Sequence, residues 1–327
     1  MDRGPVFVAG LERSGTSLMY ALLASHPSIA MTRRTNLWTH FYGQYGDLAN
    51  DANLERCLGM MMRYKRLRKL EPDPDRLRWD FLAGERTYAR LFALLEQQYA
   101  ERLGKPRWGD KSLVTERYTD LIFDGYPGAR ILHMIRDPRD RFASSLARWR
   151  VRRGGAGVGT AEWLASARLA ERNRHRYPDR YLVVRYEALA TEPQRTLRHL
   201  CAFIGEEYAP EMLSMEGAPG FREQGSNSSY GQRPPGTIST GSIGRFRDVL
   251  SPGQVAFIQL AAGEDMARFD YEPEPVRLPL PQRLRFVAVG VPVEAARLVA
   301  WRMREAIRDR SGRPVPSYRL VEGVAAT

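Results

Sequence analysis

The N-terminal segment combines a short apolar run, two glycines and several small polar residues in the order used by phosphate-binding loops. Gly10 and Gly15 have the separation of the P-loop pattern, which is Gly, four residues, Gly, Lys, then Ser or Thr. Ser17 is present, but Thr16 occupies the lysine position and the cation lies inside the loop, at Arg13. Such a loop can hold phosphate through backbone N–H groups and a helix N-terminus, yet it lacks the lysine that reaches a transferring γ-phosphate. The loop therefore predicts a nucleotide donor other than ATP.

A second candidate site follows the apolar run ARILHMIR, which ends at Arg136 and leads into an Asp-Pro turn. Metal-dependent P-loop enzymes hold Mg²⁺ with an acid from a strand of this kind, whereas a guanidinium suits an anion. Ser144 follows on the next predicted helix, so its hydroxyl and the guanidinium could meet on one phosphate. The alternative is structural, since Arg-Asp-Pro turns also occur as plain helix starts.

Three short, continuous, β-branched runs, each followed by a helical pattern, indicate a parallel sheet. The strands are predicted at 6–10, 129–136 and 180–186, and the helices after them at 16–25, 138–150 and 192–205. Ligands of such sheets bind beyond the carboxyl ends of the strands, where the loops described above would lie. The predicted fold class is α/β, a P-loop-like doubly wound parallel sheet flanked by helices, with a helical insertion and a C-terminal helical extension.

The remaining segments suggest how the chain is organised around that sheet. Residues 31–128 form a long insertion with many aromatic side chains and a probable helix at 86–103, and we expect it to shape an acceptor pocket. The segment 217–244 is rich in Gly, Ser and Pro and predicts a loop that could act as a lid. We expect one domain over 1–275, followed over 276–327 by a Pro-rich linker, a basic helix and a tail.

Together these motifs resemble the sulfotransferases that use 3′-phosphoadenosine 5′-phosphosulfate (PAPS). The residues that carry the resemblance are Arg13-Ser14-Gly15-Thr16-Ser17 before the first helix, and Arg136-Asp137-Pro138-Arg139-Asp140 with Ser144 after the second strand. The similarity is greatest to the branch with tyrosylprotein and bacterial small-molecule or carbohydrate sulfotransferases. It implies that the first loop holds the 5′-phosphosulfate and that Arg136 and Ser144 hold the 3′-phosphate.

The resemblance also implies roles for four other positions. Tyr186, after the third strand, matches a tyrosine that contacts the nucleotide, with core packing as the alternative. Lys111, in the sequence WGDKS, matches a family lysine upstream of the second strand. Ser242 and Arg245, in the sequence SIGRFR, are candidates for the last contacts to the adenosine and the 3′-phosphate.

A sulfuryl group carries less charge than a phosphoryl group, so fixed cations could stabilise a loose in-line transition state without a metal ion. Arg13 and Lys111 would supply these charges. The prediction is therefore metal-independent in-line transfer of a sulfuryl group from PAPS to a hydroxyl-type acceptor.

The general base is the point at which the chain departs from the family pattern. Relatives commonly place a glutamate shortly after the His-Pro pair that follows the first helix, whereas residues 31–36 contain no acid. His40 is the first candidate because its ordinary pKa suits a base, although a histidine among aromatics is often simply packed. Asp110, beside the family lysine, is the second candidate. Arg33 and Arg34 could bind an acidic acceptor or simply be solvated.

The chain is basic, with 50 Lys and Arg against 38 Asp and Glu and a net charge of +12. This charge suits an anionic ligand, a nucleic acid or an acidic membrane surface. A P-loop kinase or NTPase would need the missing lysine and metal-binding acid. A nucleic-acid-binding protein could use the arginine-rich run 148–180, but no recognised binding motif accompanies it. We expect a small-molecule, carbohydrate or lipidic hydroxyl acceptor and no nucleic acid.

Composition also suggests a compartment. The only two cysteines, Cys57 and Cys201, provide no disulfide framework, and no apolar stretch approaches the roughly 20 residues of a membrane span. We expect a cytoplasmic protein. The arginine-rich helix at 292–310 either packs against the main domain or lies on an anionic membrane or a partner.

Overall fold

Five short strands lie parallel in one sheet, in the order β2-β3-β1-β4-β5. The computed structural model describes residues 3–148, 155–223 and 234–310. The strands are β1 (Val6–Ala9), β2 (Ile29–Arg33), β3 (Arg107–Lys111), β4 (Arg130–Ile135) and β5 (Tyr181–Arg185). Most strand residues are buried because helices cover both faces, as a parallel sheet requires. The predicted α/β fold class is confirmed.

The sequence patterns predict β1, β4 and β5 but not β2 and β3. β3 lies within the segment 31–128, and β2 begins two residues before that segment. The sequence of β3, RWGDK, has no apolar run, yet all five residues are buried. Arg107 shows how this is possible, because its guanidinium pairs with Glu206 at 3.0 Å and donates to two backbone carbonyls. A buried charge is tolerated where such partners exist, which a hydrophobicity pattern cannot show.

Helices flank the sheet on both sides. They are α1 (Thr16–Ala24), α2 (Asp51–Arg63), α3 (Lys65–Arg68), α4 (Pro74–Leu82), α5 (Tyr88–Arg102), α6 (Thr119–Gly125), α7 (Pro138–Arg148), α8 (Gly155–Arg176), α9 (Tyr186–Thr191), α10 (Pro193–Ile204), α11 (Pro219–Glu223), α12 (Phe246–Val249), α13 (Pro252–Ala267), α14 (Leu280–Arg285) and α15 (Val291–Arg310). Two π turns, Leu37–Phe41 and Phe286–Gly290, and two 3₁₀ turns, Thr115–Tyr118 and Pro210–Ser214, complete the described elements. The helices predicted after the strands and at 86–103 correspond to α1, α7, α10 and α5.

The two faces of β1 are filled by different sets of helices, because successive strand residues point to opposite faces. Val6 and Val8 pack with side chains of α1, α9 and α10. Phe7 and Ala9 pack with side chains of α5 and α6. A third cluster joins α7, α8, α13 and α15. Packing on both faces therefore fixes the end of β1, from which the phosphate-type loop departs.

The C-terminal elements α14, the second π turn and α15 form one helical run that packs along α8. The Glu294 carboxylate accepts a hydrogen bond from the backbone N–H of Gly157 at 2.6 Å. A Cβ on Gly157 would lie 2.0 Å from the Glu294 carbonyl oxygen, so this close approach needs glycine. Farther along, Arg117 forms an ion pair with Glu305 at 2.6 Å. The inner side of this basic helix is therefore packed against the main domain.

Parts of several predictions fall outside the described residues. They are the end of the helix predicted at 138–150, the start of the arginine-rich run 148–180, the middle of the segment 217–244 and the tail after residue 310. Among the helices in the described ranges, none is both long enough and apolar enough to cross a membrane.

Candidate active site

The loop between β1 and α1 is held in a conformation that glycine favours. Gly10 has φ 115°, Arg13 φ 69° and Gly15 φ 92°. A Cβ on Gly10 would lie 2.3 Å from the carbonyl oxygen of Met134, so a larger residue has no room there. The loop leads directly into α1, which begins at Thr16 and has neither a side-chain cap nor an acid in its first turn. The free N–H groups of such a helix start suit an anion.

The two motifs that follow β1 and β4 meet at this loop. The Arg13 Nε donates a hydrogen bond to Ser144 Oγ at 3.0 Å. The Arg136 Nη1 donates to the Arg13 carbonyl oxygen, also at 3.0 Å. Parallel strands bring their carboxyl ends to one edge of the sheet, which explains why residues so distant in sequence are neighbours.

Arg136 also joins the loop to the start of α9 and to the segment that contains Ser242. Its Nη2 donates to the Ser242 carbonyl oxygen at 2.6 Å, and its guanidinium lies 4.5 Å from the centre of the Tyr186 ring. The Tyr186 hydroxyl lies 2.7 Å from Ser242 Oγ. The Arg136 Nε is buried and has no hydrogen-bond partner in the part of the chain that the structure describes. Since a buried charged donor is costly when unpaired, an anion is the partner that this atom lacks.

Asp140 holds the segment around Ser242 in place. Its carboxylate accepts hydrogen bonds from the backbone N–H groups of Gly244 at 2.6 Å and Phe246 at 2.9 Å. Burial raises the pKa of Asp140 to about 6, against the opposing effect of Arg136. The sequence motif contains this aspartate, but nothing in the motif indicates that it anchors a loop about a hundred residues away. Asp140 is therefore a site residue that sequence reasoning missed.

Arg245 lies beside this anchored segment but points partly outward. Its side chain is 43% exposed and lies 3.5 Å from the Asp248 carboxylate. Its predicted contact with the 3′-phosphate stays a prediction.

At a second corner of the same sheet edge, three basic side chains lie close together. We call this group, Arg33, Arg34 and Lys111, the cationic corner. Arg33 and Lys111 are opposite each other in the β2–β3 register, so their side chains share a face of the sheet. The backbone N–H of Arg34 donates to the Lys111 carbonyl oxygen at 2.9 Å. Lys111 is only 3% exposed. Burial, together with the charges of Arg34 and Arg33, lowers the pKa of Lys111 to about 7.

The two arginines of this corner lack acidic partners. Among the described residues, neither Arg33 nor Arg34 has a carboxylate within ion-pair distance. The Arg33 Nε is buried without a hydrogen-bond partner, and its guanidinium lies 5.7 Å from the centre of the Tyr20 ring. Burial and the charge of Arg34 lower the pKa of Arg33. This corner therefore offers positive charge to a ligand.

Asp110 lies on the other face of β3 from Lys111. Its Oδ1 accepts hydrogen bonds from the hydroxyls of Thr32 at 3.0 Å and Thr35 at 2.9 Å. The Glu96 carboxyl lies 3.0 Å from the same Thr32 hydroxyl. Burial raises the pKa of both carboxyl groups. These contacts tie β2, β3 and α5 together, and they direct the Asp110 carboxyl away from the cationic corner.

His40, the other candidate base, lies in the π turn just beyond β2 and is half-buried. Its Nδ1 is 3.0 Å from Thr39 Oγ1, and its ring centre is 5.8 Å from that of Tyr64. Burial lowers the pKa of His40. A neutral imidazole is the form that a general base requires. The lowered pKa suits the predicted role, which stays a prediction.

Glu116 is a further residue that the sequence did not indicate. Its Oε2 accepts a hydrogen bond from the Gly10 backbone N–H at 3.2 Å, and its Oε1 accepts one from Ser166 Oγ at 3.0 Å. Behind it, His133 lies between Ser166 Oγ at 3.1 Å and the Tyr181 hydroxyl at 2.5 Å. Glu116 belongs to no motif and is distant in sequence from the loop that it supports, so only the fold reveals its contact.

The aromatic insertion contains a cavity of its own. Its volume is about 770 Å³, and its lining includes Trp38, Tyr42, Tyr88 and Tyr126. None of the lining residues belongs to the loop 10–17 or to the strand ends that carry Lys111 and Arg136. Its relation to the predicted acceptor pocket stays a prediction. Within the described ranges, no group of three His, Cys, Asp or Glu is arranged to hold a metal ion.

Comparison with known proteins shows similarity to named sulfotransferases. Carbohydrate sulfotransferase 5 of Mus musculus is 33% identical over 113 residues, covering 28% of this chain and 29% of that protein. Protein-tyrosine sulfotransferase A of Caenorhabditis elegans is 23% identical over 218 residues, covering 64% of this chain and 52% of that protein. The chain therefore spans about half or less of the length of these curated relatives.

Two solved structures have the same fold. The sulfotransferase domain from the curacin biosynthetic pathway aligns with a TM-score of 0.56 and 19% identity, over 83% of this chain and 99% of that one. The sulfotransferase domain of the Synechococcus PCC 7002 olefin synthase aligns with a TM-score of 0.54 and 21% identity, over 84% and 97%. The family model described as the sulfotransferase family matches residues 5–210. This chain belongs to the sulfotransferase family.

Proposed function

We propose that this protein transfers a sulfuryl group from PAPS to a hydroxyl-type acceptor, in line and without a metal ion. One observation carries the proposal. Arg13, Ser144, Arg136, Tyr186 and Ser242 come from separate segments and join in one network beside the uncapped start of α1. A network of this kind, rich in charged and hydroxyl donors, suits a ligand with two anionic ends.

The residues present fit the donor. The unpaired Nε of Arg136 needs an anion, and the start of α1 offers backbone N–H groups. A Cβ on Gly15 would lie 2.5 Å from the Tyr186 ring, so only glycine lets this ring pack against the loop. Residues 13–17 would hold the 5′-phosphosulfate, and Arg136 with Ser144 the 3′-phosphate. Tyr186, Ser242 and Arg245 would complete the nucleotide site.

The bound donor supplies an activated sulfuryl group and a stable leaving group. Arg13 and Lys111 would place fixed positive charge where negative charge accumulates. A Lys111 amine with a pKa of about 7 is easily biased toward its charged form, because a nearby anion favours protonation. His40 would accept the proton of the acceptor hydroxyl at Nε2, since Thr39 engages Nδ1.

The acceptor is a hydroxyl compound, and its class is a small molecule, a carbohydrate or a lipidic molecule. The curated relatives are named for carbohydrate and protein-tyrosine acceptors, which is compatible with a hydroxyl. The buried Arg33 Nε, which has no hydrogen-bond partner among the described residues, and the exposed Arg34 beside it favour an acceptor that carries a carboxylate or another anionic group close to the hydroxyl. The cationic corner would then orient the acceptor and lower the pKa of its hydroxyl.

The alternative partners and the compartment are part of the same proposal. Arginines of α8 that could have met a nucleic acid are paired with acids, as in Arg168 with Asp265 and Arg176 with Asp120. We propose that no nucleic acid is bound. The two cysteines are buried and unpaired, which is compatible with a reducing, cytoplasmic compartment.

Calorimetric titration with 3′,5′-adenosine bisphosphate, with and without EDTA, tests the proposal. We expect binding at one site with the same affinity in both buffers. Absence of binding would overturn the nucleotide assignment, and binding that needs a divalent ion would overturn the metal-independent part. Tighter binding of Mg-ATP than of the bisphosphate would favour the kinase or NTPase alternative. Labelled donor would then reveal transfer to a panel of anionic and neutral hydroxyl acceptors.

A further inference from the structure

The outer side of the helical run formed by α14, the second π turn and α15 is unusually apolar. Of the twelve large apolar side chains that are exposed among the described residues, eight lie on this run. They are Leu280, Leu284, Val287, Val289, Val293, Val299, Met303 and Ile307. Such a concentration differs from the scattered apolar residues of an ordinary surface and marks an interaction site. We call this set the outer apolar face.

The outer apolar face follows from the way in which the run packs. Leu298 and Glu305 are buried against the main domain, whereas Met303 and Ile307, one turn apart, are 61% and 67% exposed. Residues three and four apart share a side of a helix, so the exposed residues form a stripe. The run from residue 280 to 310 is roughly 45 Å long at 1.5 Å per residue. The stripe is therefore long and narrow.

Arginines border this stripe on both sides. Arg283 and Arg285 flank Leu284, and Arg302 and Arg304 flank Met303. Adjacent helix residues point about 100° apart, so each of these apolar residues has a guanidinium on either side. All four arginines are exposed. Long basic side chains at the edge of an apolar face are typical of helices that lie in a lipid interface.

Each acidic residue of the run already has a hydrogen-bond or ion-pair partner. Glu294 accepts from Gly157, and Glu305 pairs with Arg117 and Arg308. Asp309 also pairs with Arg117. Asp309 is 62% exposed but paired, so positive charge predominates along the outer apolar face. A second copy of this face would bring arginine rows together, whereas anionic headgroups would complement them.

We infer that the outer apolar face docks this protein onto an anionic lipid surface, with the helix parallel to the membrane plane. Met303 and Ile307 enter the interface, and the flanking arginines meet the headgroups. The inner side of the helix stays packed on α8, so docking needs no unfolding. The inference does not depend on the proposed sulfuryl transfer, because the face contains no residue of the loop network.

Vesicle co-sedimentation of the full chain tests the inference. The two vesicle types are phosphatidylcholine alone and phosphatidylcholine with phosphatidylglycerol, each at low and high salt. We expect binding to the anionic vesicles at low salt, weakened by high salt. Reversal of both flanking charges in Arg302→Glu/Arg304→Glu should weaken it roughly tenfold or more. No binding to anionic vesicles, or equal binding to both vesicle types at low salt, would overturn the inference.

A matched pair of variants separates this face from apolar surface in general. Met303→Asp/Ile307→Asp should abolish sedimentation, whereas Leu260→Asp should not. Leu260 is as exposed as Ile307, at 67%, but lies on α13 outside the run. Unchanged bisphosphate binding and thermal melting would show that the variants are folded. Equal loss in both variants would overturn the assignment to this face. So would a light-scattering dimer that Met303→Asp dissociates, because a second copy would then cover the face.

Discussion

At the residue scale, Arg13 and Lys111 carry the same charge but have different surroundings. Arg13 is tied to Ser144 and Arg136, while Lys111 is buried beside two further cations. The first arrangement positions a ligand. The second keeps an amine close to its titration point, where the ligand decides its charge. Replacing a ligand-positioning arginine and replacing Lys111 should therefore affect different properties, affinity in the first case and turnover in the second.

Replacement of Lys111 and of Arg136 should separate turnover from affinity. Lys111→Ala should lower kcat about 100-fold or more, since a cation that acts on developing charge is lost, and should leave bisphosphate affinity within a few-fold. Arg136→Ala should weaken bisphosphate affinity roughly 10- to 100-fold, the value of a charged hydrogen bond. Calorimetry and steady-state rates measure the two effects. The exposed Lys69→Ala and Arg195→Ala are controls. Equal effects on both parameters in both variants would contradict the separate roles.

The pKa of Lys111 predicts a pH dependence of the wild-type enzyme. As pH rises through about 7, Lys111 of the free enzyme loses its proton and its charge. We therefore expect kcat/KM to fall from pH 6 to pH 8. Lys111→Arg keeps the charge throughout this range. In this variant kcat/KM should fall much less between pH 6 and pH 8, although its peak activity is lower. The measurement is the kcat/KM profile of both proteins. A wild-type profile with the same falling limb as Lys111→Arg would assign the titration to another group.

At the element scale, the loop between β1 and α1 depends on backbone shape more than on side chains. Gly15 has φ 92° and faces the Tyr186 ring. Gly15→Ala should therefore cost about 1–3 kcal/mol of stability and weaken bisphosphate binding. Gly59→Ala is the control, because Gly59 lies within α2 and a Cβ there meets nothing within 4 Å. That variant should be stabilised by about 0.5–1 kcal/mol. Chemical denaturation and calorimetry measure both. A stabilised Gly15→Ala, or a Gly59→Ala that loses as much stability as Gly15→Ala, would refute the account.

The individual strands differ in how well the sequence predicts them. β1, β4 and β5 are continuous apolar runs and were predictable, as were the helices after them. β3 was not, since Arg107 and Asp110 are buried only because partners from the chain after α10 and from β2 satisfy them. The residues of the candidate site also fall into a predictable and an unpredictable group. Motifs indicated Arg13 and Arg136, whereas the contacts of Asp140 and Glu116 exist only after folding.

At the scale of the whole molecule, the main question is whether the C-terminal run is a separable unit. The sequence places a boundary near residue 275, at a Pro-rich linker. The fold shows extensive packing across that boundary, with Leu298 in the same cluster as Trp163 and Phe257. The Arg117 guanidinium also depends on the run for its acidic partners. These contacts show that the run stabilises the domain. The residues of the nucleotide network described above all lie before the run.

A chain that ends at residue 279 should therefore lose stability but not the nucleotide site. Removal of the run uncovers the surface of α8, and each buried apolar side chain that is exposed costs about 1.5–3 kcal/mol. We expect a clear fall in the midpoint of thermal unfolding. Bisphosphate affinity should stay within a few-fold below that midpoint, because the network described above, which includes Arg13, Arg136 and Tyr186, is made of residues before 279. Melting curves and calorimetry of the two chains test both expectations. An unchanged midpoint would mean that residues 280–327 form an independent appendage, and lost affinity in a folded chain would mean that the run supports the site.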